Sequence, residues 1–340
     1  MMSREVKSKG ANEADLEQVR KIVRAYPAAK ANLALLGDKK FLFNEMQSSF
    51  MMYGVQGRSW IALGDPVGPP EEAPALIQRF YQASTERGAR PVFYEVRNEY
   101  LSVYESLGLH PLEIAEEGSV ALASFSLAGP ERRDLRNSVR KAEKEGCAFD
   151  WVPAAGARAL LPELRAVSDA WLTSKHTREK QFSIACFDED YLKNFSVGVV
   201  RQNGGIIAFV TLWAGTSGEE FYLDLMRSVP DVPRGTMDLL FVRLMEQAQE
   251  KGYSWFNLGM SPLSGPVDWT RHPIWGWVRG RLLRYGEKFY NTQGLRQYKE
   301  KFNPQWAARY LAAPSGLALM HAFVDVASLT SGGLRWVVLK

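Results

Sequence analysis

The 340-residue chain is poor in the residues that metals and redox chemistry use. Its two cysteines, Cys147 and Cys186, form no CxxC pair. That spacing excludes a disulfide framework or thiolate cage and points to free thiols in a reducing compartment. The four histidines, His110, His176, His272 and His321, fall in no HxxxH or HExxH pattern, so no metal site is expected. No apolar run reaches the roughly 18 residues that a bilayer-spanning helix needs. The opening stretch MMSREVKSKGANEADLEQ is polar and charged and does not read as a secretory signal. Charge of one sign is also scarce: 42 Lys and Arg against 38 Asp and Glu leave +4, compatible with an anionic ligand and with an ordinary slightly basic enzyme.

What the chain does have is a globular composition, 46% hydrophobic and 24% charged, at a length that suggests two domains. Residues 14–27 predict a short amphipathic helix ended by Pro27. FLFN, SFMMYGV and SWIALGDPVG read as strands, residues 71–87 as a helix, PVFYEV as a strand, and NEYLSVYESLGLHPL as a helix closing at Gly108. The second half repeats this order. Helices are expected at 132–146 and 161–174, strands at FSVGVVRQ, GGIIAFVTLWAG and EEFYLDLMRS, then a helix over 236–250 and a strand at YSWFNLGMS. This predicts an α/β (α+β) chain with a duplicated unit, split at the Gly-Pro punctuation near residue 129 into 1–129 and 130–340. The apolar segment 317–329 is too short and too polar to span a membrane. It reads as a helix that docks on the core or lies on a membrane surface.

In each half a strand, a Gly/Pro turn, a helix, a strand and a further helix resemble the GNAT acyltransferase fold. The second copy, FYLDLMRSVPDVPRGTMD, lacks the Q/R-x-x-G-x-G/A loop with which acetyltransferases cradle coenzyme A. It keeps Arg234, one glycine and a helix N-terminus at Thr236, where an anion is a reasonable expectation. A narrower resemblance covers nearly the whole chain. FNEMQSSFMMYGVQGRSWIALGDPVG, RRDLRNSVRKAEKEG, FYLDLMR and YNTQGLRQYKEKFNPQW, in this order, are similar to the catalytic domain of MprF-type aminoacyl-phosphatidylglycerol synthases. That family implies two tandem GNAT-like domains, the first on the lipid side and the second on the aminoacyl-tRNA side. It implies aminoacyl transfer from aminoacyl-tRNA to phosphatidylglycerol, with alanyl donors favoured over lysyl, and a change of membrane charge that gives resistance to cationic antimicrobials. It also implies an N-terminal integral membrane region, so that this chain corresponds to a C-terminal domain at the cytoplasmic face of a bacterial inner membrane.

Ester-to-ester exchange calls for no ATP, metal or redox cofactor. The site must bind an ammonium, orient a hydroxyl and stabilise an oxyanion. Within YLDLMR, Asp224 and Arg227 are three apart at a strand end. If pairing ends near Leu225 they reach one cleft, Asp224 for ammonium or proton and Arg227 for phosphate or oxyanion; otherwise they form an ordinary strand-end ion pair. Glu287 is a second carboxylate candidate beside Tyr290, or a solvated surface glutamate. Asn257 and Ser261, on the strand that resembles the acyl-binding strand of GNAT enzymes, are substrate-binding candidates or turn caps. Arg133, Arg136, Arg140 and Lys144 are spaced 3, 4 and 4 along one helical face and suit tRNA or lipid phosphates, or simply a solvated face. In the YNTQGLRQYKEKFNPQW segment, Arg296 and Lys299 are set to meet a phosphate and Tyr298 to pack beside substrate. Gly294 is expected to turn the chain before that helix, and Pro304 to stop it. Two other readings stay open: a tandem-GNAT transferase acting on a peptidoglycan precursor or a protein N-terminus, and a non-enzymatic RNA- or membrane-surface module.

Overall fold

The computed structural model describes residues 10–26, 28–214, 218–262 and 292–332. The first run of chain forms α1 (Glu13–Ala25), a 3-10 helix (Ala29–Leu36), β1 (Lys40–Phe43), β2 (Phe50–Gln56), β3 (Ser59–Leu63), α2 (Ala73–Glu86), β4 (Arg90–Val96), α3 (Leu101–Ser106) and β5 (His110–Ala121). The second forms α4 (Arg133–Lys144), β6 (Ala148–Val152), α5 (Ala154–Ser174), α6 (Glu189–Leu192), β7 (Ser196–Gln202), β8 (Gly205–Ala214), β9 (Glu220–Ser228), α7 (Thr236–Glu250) and β10 (Trp255–Pro262). After the segment 263–291 come α8 (Thr292–Glu300), β11 (Gln305–Ala313) and α9 (Leu317–Ser331).

All these strands join one mixed sheet in the order β1-β2-β3-β4-β11-β5-β10-β9-β8-β7-β6. The order is close to a mirror of itself. In each half antiparallel strands lead into a helix and then a parallel neighbour, β3 to β4 and β9 to β10. The last strand of each half is then delivered across the seam: β5 pairs with β10, and β11 pairs with β4. β5 and β11 pair with each other at the centre. The expected division near residue 129 therefore cuts the chain between β5 and α4, while the sheet exchanges strands across that cut.

One face of the sheet carries a single apolar core that spans both halves. α1, the 3-10 helix, α5 and α9 place Val19, Leu33, Leu164 and Ala322 over Phe50, Ile61, Phe209 and Leu225. The other face carries two separate cores, α4 and α7 over the second half and α2 and α3 over the first. α4 shows why this sequence is helical: Leu135, Val139 and Ala142 recur at helical spacing and are buried, and the charged residues take the outer side.

Three sequence expectations need correction. α5 begins at Ala154 and runs through Pro162, so the helix expected from about residue 161 starts two turns earlier. Gly294 falls within the first turn of α8 rather than before it. β5, β6 and β11 were not expected as strands. β5, with three glutamates in HPLEIAEEGSVA, lacks the apolar alternation that marks a strand.

Candidate active site

β9 carries the centre of the site. Across the β8–β9 ladder Val210 pairs with Met226, but Leu212 pairs with Leu223, so Asp224 and Leu225 together face Thr211. This is a β-bulge, and Thr211 closes it: its Oγ1 accepts from the Leu225 amide at 3.0 Å and donates to Asp224 Oδ2 at 3.1 Å. Pairing does not end near Leu225, the condition on which a shared cleft depended, but continues to Ser228. Strict alternation would set residues 224 and 227 on opposite faces. The extra residue resets the alternation and brings Asp224 and Arg227 to the same face, toward α5 and α6.

There Tyr191 of α6, fully buried, donates to Asp224 Oδ2 at 3.2 Å and accepts from Trp213 Nε1 at 2.8 Å. Burial pushes the Asp224 carboxyl up to about 7, against the hydrogen bonds from Thr211, Tyr191 and the Leu225 amide and the pull of Arg227. Arg227 lies under the Trp171 ring at 4.1 Å, donates to Glu179 Oε2 at 3.0 Å, and leaves its buried Nε without a hydrogen bond among the described residues. Glu179 and Trp171 thus fix the guanidinium plane. A cavity of about 870 Å³ opens between α1, the 3-10 helix and residues 181–195, and Tyr191 forms part of its wall.

A second polar group sits at the seam. β9 and β10 pair only as far as Tyr222 and Asn257. Just beyond, β10 bulges, with Leu258 and Gly259 opposite Gly118; Gly259 adopts φ 74, a conformation open to glycine. Asn257, buried, donates to Glu220 and accepts from the Gly259 amide at 2.7 Å. Lys299, also buried, donates to the Gly259 and Met260 carbonyls at 3.0 and 2.8 Å. Burial draws its ammonium down to about 7, with Glu117 pulling the other way. Glu117 accepts from Tyr222 at 2.9 Å and pairs with Arg309. Its burial works against ionisation, but Lys30, Arg309, Tyr222 and Asn257 hold it below the usual carboxylate range. Glu95, paired with Lys30, is raised by its burial. Glu95 is the bulged residue of β4, skipped between Val96 and Tyr94 opposite β11, with φ 66. β4 and β10 therefore bulge at matching points of the two halves.

The other candidates divide sharply. Ser261 is buried, with no partner for its hydroxyl among the described residues. Arg296 is drawn inward, paired with Glu116 and stacked on Trp306 at 4.3 Å. Tyr298 packs on Phe241 and Phe302, on the face away from Asp224. Glu287 and Tyr290 lie outside the described residues. On α4, Arg133, Arg140 and Lys144 are exposed, as is Arg234 nearby. Arg136 instead donates to the Leu127 and Gly129 carbonyls, tying down the connection between the halves. At the N-terminus of α7, where an anion was expected, Asp238 in the first turn takes Ser138 at 2.5 Å and Lys301 at 3.1 Å. At the corresponding helix of the first half, Glu72 takes Ser48 at 2.8 Å.

Sequence reasoning missed Tyr191, Thr211, Trp213, Glu179, Glu95 and Glu117. For Glu95 a signal existed, since an acid inside an otherwise apolar strand such as PVFYEV must find a partner when buried.

A mixed sheet whose parallel strands part beside a carboxylate and an arginine is an acyltransferase type of architecture. The sequence signature of the phosphatidylglycerol lysyltransferase C-terminal family matches residues 20–313, and the chain belongs to that family. The C-terminal domain assigned to a lysylphosphatidylglycerol synthetase of Agrobacterium fabrum is 40% identical and superposes with a TM-score of 0.88, over 96% of this chain and 99% of that one. L-PGS from Bacillus licheniformis is 31% identical with a TM-score of 0.85, over 97% and 100%. A phosphatidylglycerol lysyltransferase of Staphylococcus xylosus is 34% identical over 283 residues, 83% of this chain and 33% of the relative. The chain spans about a third of the length of such curated relatives. No helix among the described residues is long and apolar enough to cross a membrane.

Proposed function

We propose that this chain transfers an aminoacyl group from aminoacyl-tRNA to the glycerol hydroxyl of phosphatidylglycerol, working at the cytoplasmic face of a bacterial inner membrane as part of a longer protein with a membrane region. The observation that carries this reading is the bulge on β9, which brings Asp224, raised by burial to about 7, to the same face as a braced Arg227. A carboxylate poised there accepts the glycerol proton at neutral pH and returns it to the tRNA 3′-oxygen as the new ester forms and the old one breaks. Arg227, with an unclaimed N–H, meets the oxyanion between the two. Lys299 and Asn257 hold the β10 bulge, and Ser261 offers a hydroxyl on the same strand. The exposed Arg133, Arg140, Lys144 and Arg234 suit the backbone of the tRNA acceptor end. The first half serves the lipid and the second the tRNA.

The donor we favour is alanyl. Glu179 already spends its Oε2 on Arg227, which favours a donor without a second ammonium to neutralise. The relatives carry the lysyl name, so both donors belong in the test. Purified chain is incubated with phosphatidylglycerol vesicles and either alanyl-tRNA or lysyl-tRNA, and lipids are resolved by charge. A new aminoacyl lipid that requires charged tRNA supports the proposal; no new lipid with either donor overturns it.

A further inference from the structure

The two side-chain hydrogen bonds to the Asp224 carboxyl arrive on the same oxygen. Thr211 and Tyr191 both donate to Oδ2, from β8 and from α6. No side-chain donor among the described residues reaches Oδ1. The arrangement is built from two independent elements and is itself braced. Thr211 is locked by the Leu225 amide inside the bulge, and Tyr191 by the Trp213 indole N–H. Both hydroxyls are fully buried and spend their single proton on the same acceptor. The surrounding ionisable groups are Arg227 on the same strand, Glu179 paired to it, Asp38 after the 3-10 helix, and Cys186 before α6.

We propose that Thr211 and Tyr191 are positioning residues that clamp Asp224 through Oδ2, so that Oδ1 alone is presented to substrate in one fixed orientation, with Trp213 holding the Tyr191 hydroxyl in its donating direction. The inference rests on the reading of Asp224 as the proton-handling group. A phenol that must accept from Trp213 has one rotamer left for its own proton, and that rotamer points at the carboxylate. The clamp favours the ionised carboxylate, because each donor stabilises its charge. Removing either donor therefore moves the titration of the group upward as well as loosening it.

The test is the pH–rate profile of transfer, with phosphatidylglycerol vesicles and charged tRNA, for Thr211→Val, Thr211→Ser, Tyr191→Phe and Asp224→Asn, each checked for a folded circular-dichroism spectrum. Thr211→Val and Tyr191→Phe should shift the acid limb upward by about half to one pH unit, losing roughly 3–10-fold in kcat at pH 6.5 and recovering most of it at pH 8.5. Thr211→Ser keeps the hydroxyl and should keep the wild-type profile. Equal losses at every pH in Thr211→Val and Tyr191→Phe, with Asp224→Asn inactive, would overturn the clamp and leave the Asp224 reading standing. An active Asp224→Asn would remove the reading itself.

Discussion

At the scale of the residue, Asp224 links the proposed proton transfer to stability with a definite sign. Its carboxyl stands at about 7 in the folded chain against 3.8 for an ordinary aspartate. Between those values the folded chain holds a proton that the unfolded chain has released, so stability falls as pH rises through this window. The contribution is fully present below about pH 4 and gone above about pH 7. Asp224→Asn keeps the acceptor oxygen for Thr211 and Tyr191 and has no charge to bury. It should melt about 2–6 °C above wild type at pH 8, with no difference at pH 4, while kcat falls roughly 10²–10⁴-fold. Calorimetry at the two pH values decides it; a lower melting temperature at pH 8 would show that the ionised carboxylate is not strained by burial.

At the scale of the element, α4 separates two jobs that looked alike in sequence. Its arginine row has one face only in a formal sense: Arg136 folds back onto the Leu127 and Gly129 carbonyls, and Arg133, Arg140 and Lys144 stay exposed with no partner among the described residues. Replacing those three by alanine should leave the melting temperature within about a degree, because no packed atom is lost. It should weaken tRNA binding and reduce the slope of log K against log salt by about 2–3. Salt titration of tRNA affinity reads this directly, and an unchanged slope would mean the tRNA lies elsewhere. Arg136→Ala, by contrast, is expected to act on stability. The bulges belong to this scale too: one inserted residue in β9 decides which side chains share a face, and Glu95 in β4 holds a positive φ that costs on the order of 1 kcal/mol to maintain.

At the scale of the whole molecule, the exchanged strands make the two halves interdependent. β11 fills the edge between β4 and β5, and α9 then crosses back over β2, β3 and β4, where Asp325 accepts from Ser59 at 2.6 Å and meets Arg90 at 3.3 Å. A chain stopped at residue 129 would leave the β4 edge without β11, exposing a ladder ready to aggregate. Such a fragment is expected to be insoluble or unfolded by circular dichroism, and a monomeric folded fragment would show that the first half is self-sufficient. Asp325→Ala, which leaves Arg90 with its partner gone, should cost about 1–3 kcal/mol in denaturant melts.

The order of helices and strands was largely legible, because apolar periodicity reports which face of a segment is buried, and SFMMYGV, GGIIAFVTLWAG and the 236–250 helix each show it plainly. β5 and β11 were not, because their polar residues are satisfied by partners far away in sequence: Glu117 by Tyr222 and Arg309, Glu116 by Arg296. The motifs FYLDLMR and RRDLRNSVRKAEKEG determined the family and singled out Asp224 and Arg227 from sequence alone. Only the tertiary structure decided how they act together. The face shared by residues three apart depends on a bulge, the charge of Asp224 on how deeply α6 covers it, and the direction of Arg296 and Lys299 on a strand that the chain returns across the seam. Sequence carries residue types and their spacing; dielectric, register and strand exchange exist only once the sheet has closed.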